Sequence, residues 1–126
     1  MQRMTPQYIL KTDVERTNPN VNWKYMYAKL NIMLQNPNCR LLRANNSLFI
    51  IINNQDHTAM VGMHTVDSVE KLIDSMKEFG QAMQKSGFTK LFFTTKRPAL
   101  IRLVDRAGWK HKVFPSSSGS VIEVLL

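Results

Sequence analysis

The sequence contains few of the residues that mark several common classes of protein. Its single cysteine, Cys39, excludes an intrachain disulfide and any zinc module built from several cysteines. One cysteine is typical of a reducing compartment, or of one where redox conditions do not matter. The three histidines and Cys39 show no metal-ligand spacing, and the five glycines form neither a phosphate-binding loop nor a dinucleotide fingerprint. We therefore expect no metal site.

Long apolar runs are also missing. The longest stretch without a polar residue is 48–52, five residues in all, whereas a membrane helix needs roughly 20. No signal-peptide pattern opens the chain. We therefore expect no membrane span and no secretion by a signal peptide.

What the sequence does contain is an ordinary globular composition. Apolar residues make up 44% of the chain and charged residues 21%, which excludes wholesale disorder. A length of 126 residues is typical of a single domain. We therefore expect one domain over residues 1–126.

Positive charge is concentrated in one part of the chain. Against 9 Asp and Glu there are 17 Lys and Arg, a formal charge of +8. From Lys85 to Lys112 eight cations stand against one anion, Asp105. Such a concentration of positive charge attracts phosphates, nucleic acid or an acidic protein surface. A basic face that only keeps the protein in solution is the alternative.

The N-terminal half predicts one helix and several strands. Residues 7–14 are expected to form a first strand, and Asn20 or Asn22 then supplies a helix N-cap. Apolar residues at helical spacing predict a helix over 23–34. Strands of an antiparallel meander are expected at 40–44, 47–53 and 57–65, with a tight turn at Asn45 and Asn46. The apolar stretch 49–52 predicts a strand that is buried on both faces.

The C-terminal half predicts two helices and three strands. The longest helix is expected over 67–86, where Asp67 and Glu70 resemble a capping box. A strand at 90–94, a helix at 98–107 and closing strands at 110–114 and 120–125 follow. The predicted fold class is α+β in α/β/α layers, with a mixed, mostly antiparallel central sheet of about seven strands and about three helices on its faces.

The order of elements from Asp67 onward resembles the Gcn5-related N-acetyltransferase (GNAT) fold. Residues 98–109, PALIRLVDRAGW, are similar to the family's short helix, which ends in glycine followed by an aromatic residue. The resemblance implies a shortened N-terminal half over 1–56 and a core over 57–126. It extends to small GNAT-like proteins of tailed bacteriophages, including internal virion proteins of T7-like phages.

The sequence departs from this family where acetyltransferases bind and react. Family members bind the coenzyme A pyrophosphate with a glycine-rich loop before the long helix, because backbone amides must approach the phosphates closely. Val66, Asp67 and Ser68 occupy that position here, and a carboxylate would repel a pyrophosphate. Val104 stands where the family commonly has a tyrosine general acid. His64 is the candidate base, with an ordinary structural histidine as the alternative.

Five cations in or beside the short helix are the candidate partner-binding residues. They are Lys96, Arg97, Arg102, Arg106 and Lys110. Cations at a helix start oppose the helix dipole, which favours an anionic partner nearby. Phe92 and Phe93 lie among the cations, where aromatic rings can stack on bases. We expect them to face opposite sides of a strand, with helices covering both.

Three functions follow from these observations. The first is a non-catalytic acetyltransferase-like phage protein without a cofactor, in the virion or the host cytoplasm, that contacts other virion or assembly proteins or DNA. The second is an N-acetyltransferase that uses acetyl-CoA through a diverged coenzyme site. The third is a basic nucleic-acid-binding protein.

Overall fold

The computed structural model describes residues 4–126, which form four helices and six strands. The helices are α1 (Pro6–Thr17), α2 (Trp23–Met33), α3 (Val69–Lys85) and α4 (Pro98–Arg106). The strands are β1 (Cys39–Ala44), β2 (Ser47–Asn53), β3 (Thr58–Thr65), β4 (Lys90–Thr95), β5 (Lys110–Ser116) and β6 (Gly119–Leu125). The α+β class is confirmed, with one helix more and one strand fewer than expected.

The strands form one mixed sheet in the order β1-β2-β3-β4-β6-β5. The predicted antiparallel meander is confirmed, because β1 pairs with β2 and β2 with β3, both antiparallel. Among the described strands, β3 and β4 are the parallel pair, and β6 lies antiparallel between β4 and β5. Helices α1 and α2 pack on one face of this sheet, and α3 and α4 pack on the other.

The first element is a helix, so the strand expected at 7–14 is wrong. The side chain of Thr5 caps α1 by accepting a hydrogen bond from the amide of Tyr8 at 3.1 Å. Pro6 opens the helix, where its missing amide proton costs no hydrogen bond. Ile9 and Leu10 are both buried, whereas neighbouring residues of a strand would point to opposite faces.

Two hydrophobic clusters lie on the two faces of the sheet. The larger cluster fills the α3 and α4 side, where the rings of Phe49 and Phe79 stack with centroids 4.1 Å apart. The smaller cluster lies under α1 and α2, where Ile50 of β2 packs against buried helix residues. The stretch 49–52 is therefore covered on both faces as predicted, except at Ile52, which is exposed.

Alanine substitutions at adjacent positions test the helical geometry of α1. We expect Ile9→Ala and Leu10→Ala each to lower the free energy of unfolding by about 2–5 kcal/mol, because both side chains are buried. Tyr8→Ala is the control, since that side chain is exposed on the same helix. Urea denaturation measures all three. A loss at only one of the two buried positions would indicate the alternation of a strand.

Candidate functional site

The two parallel strands at the centre of the sheet separate at their C-terminal ends. Their register pairs residues 58–61 of β3 with 90–93 of β4. β3 then continues to Thr65 and β4 to Thr95 without pairing to each other. We call the opening beyond these pairs the strand gap. It is the feature that the acetyltransferase alternative requires between these strands.

The C-terminal end of α1 is tied to both sides of the strand gap. On one side, the guanidinium of Arg16 donates a hydrogen bond to the carbonyl of Thr65 at 3.0 Å. On the other side, the guanidinium of Arg97 donates to the carbonyl of Thr17 at 2.8 Å. α1 therefore connects the end of β3 to the segment that follows β4.

The candidate base His64 is paired with a carboxylate of α1. Nδ1 of His64 lies 2.8 Å from Oδ2 of Asp13, and their side chains are 15% and 12% exposed. A carboxylate in this position orients the imidazole, as in acid–base catalysis. The same contact also anchors α1 on β3, which is a purely structural use of the pair.

The junction between β3 and α3 is only three residues long, 66–68. The N-cap of α3 is Ser68, whose hydroxyl accepts a hydrogen bond from the amide of Lys71 at 3.3 Å. The capping box predicted for Asp67 and Glu70 is therefore wrong, because α3 begins one residue later than that motif requires. Glu70 instead binds Arg106 of α4 at 2.8 Å.

Asp67 points into the fold. Its half-buried carboxylate accepts hydrogen bonds from the hydroxyl of Ser47 at 2.7 Å and the hydroxyl of Ser75 at 3.1 Å. It also accepts from the backbone amide of Asn46 at 3.2 Å. These partners belong to β2, α3 and the β1–β2 turn, and both serine side chains are buried. The carboxylate therefore accepts hydrogen bonds from hydroxyl and amide groups, which are donors that could also bind an anionic ligand.

The junction therefore does not fit the pyrophosphate of coenzyme A. Asp67 adds a negative charge to this segment, which opposes the binding of a pyrophosphate at the helix start. The side chain of Ser68 already caps the helix, and no glycine lets the backbone approach a ligand more closely. Val66 is half-buried in the same segment and offers no polar side chain.

A tyrosine-like proton donor is absent from the position that the resemblance assigns to it. Val104 is fully buried in the larger cluster between α4 and the sheet. Its side chain has no proton to give. This departure, expected from the sequence, lies in the hydrophobic core.

The five candidate partner-binding cations do not form one patch. Lys96 and Arg102 are exposed, and their charged groups have no partner among residues 4–126. Arg97 is held by the carbonyl at the end of α1, and Arg106 by Glu70. Lys110 lies on the edge strand β5 and points to the face of the sheet opposite α4. The segment therefore distributes its charge over a loop, a helix and a strand.

A separate groove lies beside the edge strand β1, at the end of the sheet opposite the strand gap. Its volume is about 490 Å³, and its apolar lining includes Leu41, Met83 and Phe88. Arg40 is the ionisable residue of that lining. The groove therefore lacks the paired acid and base groups that a reaction would need.

Cys39 has the surroundings of an inert core residue. Its side chain is buried, and burial raises the pKa of the thiol.

Within residues 4–126, no group of three or more His, Cys, Asp or Glu side chains is arranged to hold a metal ion. A search of the same residues also finds no helix with the length and apolar character to cross a membrane.

Solved structures of acetyltransferases share this fold. Tetrahymena Gcn5 aligns with a TM-score of 0.63 and 15% identity, over 95% of this chain and 86% of that one. The microcin C7 self-immunity acetyltransferase MccE, solved with acetyl-CoA and AMP, aligns with a TM-score of 0.66 and 12% identity over 95% and 87%. A variant of the spermidine N-acetyltransferase SpeG from Vibrio cholerae aligns with a TM-score of 0.64 and 10% identity over 97% and 91%.

Sequence comparison adds no further relatives. No family model matches the chain, and no curated protein matches it. The structural likeness confirms the GNAT fold expected from the order of elements. At 10–15% identity it establishes the fold alone.

Replacing Asp67 tests its role as an internal anion. Asp67→Ala removes the acceptor for the amide of Asn46 and one acceptor of each buried serine hydroxyl, and a donor left without its acceptor costs about 1–3 kcal/mol. We expect the free energy of unfolding in urea to fall by at least that amount. Glu70→Ala is the matched control, because its carboxylate pairs only with Arg106 at the surface. Equal unfolding midpoints for the two variants would contradict the role.

The thiol of Cys39 provides a test by chemical labelling. Its raised pKa lowers the fraction of thiolate at any given pH, and only the thiolate reacts. We expect a disulfide reagent at pH 8 to react at least tenfold more slowly with the folded protein than with the urea-unfolded protein. Equal rates would show that Cys39 is accessible and reactive.

Proposed function

We propose that this chain is a non-catalytic domain with the GNAT fold that acts by binding another macromolecule. The observation that carries the proposal is the position of Asp67. Its carboxylate accepts hydrogen bonds from Ser47, Ser75 and the amide of Asn46 at the place where the resemblance puts a pyrophosphate. The fold thus supplies its own anion at the junction and needs no coenzyme to satisfy these donors.

The absence of a proton donor supports the same proposal. An acetyl transfer needs a group that protonates the departing thiolate. The corresponding residue, Val104, is apolar and fully buried. Neither the binding nor the chemical part of the family's usual site is therefore present at its usual positions.

The basic C-terminal third is the part of the surface that we assign to binding. Lys96 and Arg102 are exposed with no partner for their charges among the described residues. An acidic protein surface or DNA would satisfy them. A role in a bacteriophage virion or its assembly, with a location in the virion or host cytoplasm, remains a prediction from the resemblance.

An N-acetyltransferase with a diverged coenzyme site is the second candidate. The strand gap favours it, and so do the solved structures, since the three named above are acetyltransferases and one of them contains acetyl-CoA. His64, oriented by Asp13, is the residue that such an enzyme would use as its base. The coenzyme would then have to bind without the junction at 66–68.

Titration with acetyl-CoA separates the two candidates. We expect isothermal calorimetry to detect no binding up to millimolar acetyl-CoA, because Asp67 repels the pyrophosphate and no glycine loop is present. A circular dichroism spectrum of the same sample confirms that the protein is folded. A micromolar dissociation constant would overturn the non-catalytic proposal. It would also show that the protein binds the coenzyme, which an N-acetyltransferase needs first.

A further inference from the structure

One half of the sheet carries no helix on the face where α1 and α2 lie. Helix α1 contacts β2 and β3, and neither hydrophobic cluster of residues 4–126 includes a residue of β4, β6 or β5 that points to that side. On the other side, Phe93 and Ile122 are buried under α3 and α4. Because strand residues alternate between faces, the residues directly before and after Phe93 and Ile122 point to the opposite face, and they form an uncovered surface there. We call it the open face.

The strand register arranges the open face in three rows across β4, β6 and β5. Paired residues in a sheet point to the same face, so each row is continuous. The rows are Lys90–Leu125–Lys110, Phe92–Glu123–Lys112 and Thr94–Val121–Phe114. Met60 of β3 extends the middle row beyond Phe92.

The apolar part of the open face is accessible to solvent. The ring of Phe114 is 45% exposed and Met60 is 43% exposed. Phe92 is half-buried in the middle row. Phe93 lies in the larger cluster with residues of α3 and α4, as expected, whereas Phe92 belongs to neither cluster. The open face thus presents two aromatic rings without a helix above them.

The charged part of the open face is positive. Lys90 is neutralised by Glu123, whose carboxylate lies 3.6 Å from the ammonium group. The ammonium groups of Lys110 and Lys112 have no partner among residues 4–126. Both lysines are exposed, and they stand beside the rows that hold the two aromatic rings.

We propose that the open face binds single-stranded nucleic acid. Exposed rings stack on bases of any sequence, and lysines beside them contact the phosphates. Two strand spacings and two residues along a strand place Phe92 and Phe114 about 12 Å apart. This distance leaves room for bases to stack on each ring while the backbone passes Lys110 and Lys112. The inference rests on the proposed function, because it names the partner and the surface of that binding.

The charges on the open face favour this partner over a second copy of the chain. Self-association through the face would bring Lys110 and Lys112 of two molecules together, and like charges that are pushed together repel. An apolar protein partner would remove water from both ammonium groups without pairing them. A polyanion with aromatic bases satisfies the cations and the rings together.

Fluorescence anisotropy with a labelled thymine oligonucleotide of about 15 nucleotides tests the proposal. The full chain should bind it at low salt. Phe114→Ala should raise the dissociation constant roughly 5- to 100-fold, because stacking on an aromatic ring contributes about that much per base. Val113→Ala is the matched control, since it is exposed on the same strand but points to the other face. It should leave the dissociation constant unchanged.

A second pair of variants tests whether the open face makes the phosphate contacts. Lys110→Ala with Lys112→Ala should reduce the slope of log affinity against log salt by about 1.4, since each phosphate contact on a single strand contributes about 0.7. Lys71→Ala with Lys77→Ala removes the same charge from exposed positions of α3, on the other side of the sheet, and should leave the slope unchanged. Equal effects of the two pairs would overturn the assignment to the open face.

The remaining outcomes are also decisive. No binding at low salt, or tighter binding of a duplex than of the single strand, would overturn the inference. A dimer at micromolar concentration in sedimentation, lost in Phe114→Ala, would assign the open face to a second copy instead. None of these results depends on acetyl-CoA. The titration with acetyl-CoA therefore tests the proposed function separately from the binding of nucleic acid.

Discussion

The carboxylate of Asp67 joins three elements beside the junction of β3 and α3. It accepts hydrogen bonds from the amide of Asn46, from Ser47 and from Ser75, so one charge joins the β1–β2 turn, β2 and α3. Thr65 extends the network, since its hydroxyl lies 2.7 Å from that of Ser47 and accepts from the amide of Asp67 at 3.0 Å. Because buried hydroxyls need partners, this carboxylate determines where α3 starts on the sheet.

The same interaction places a carboxylate where the resemblance implies a glycine-rich loop. A helix start normally offers unpaired amides and a positive dipole end to an anion. Here Ser68 caps the helix and Asp67 brings a negative charge into the junction. The strand gap persists, but α1 is tied across it through Arg16 and Arg97. The architecture shared with the solved acetyltransferases is thus retained, while residues 66–68 carry a carboxylate and no glycine.

Local signals in the sequence predicted most of the fold, and long-range pairing explains the failures. The apolar periodicity of α3 and the turn at Asn45 are patterns among residues that are close in the sequence, and both elements were predicted nearly correctly. Helix α1 was missed because its buried face includes Asp13, whose partner His64 lies 51 residues away. Asp67 was recognised as unusual but assigned to a cap, since its partners at Asn46 and Ser47 are about 20 residues distant. A sequence does not show such pairs.

The concentration of charge along the sequence overstated the charge of any one surface. Residues 85–112 cross a strand, a helix and a second strand, so their cations point in several directions. Lysines on an edge strand such as β5 also prevent pairing with other sheets, and Pro115 serves the same end. That protection accounts for Lys110 and Lys112 without any partner. It does not account for the exposed ring of Phe114, because an apolar side chain on an edge strand promotes association. The aromatic ring, more than the charge, is therefore the observation that supports the proposed binding role of this face.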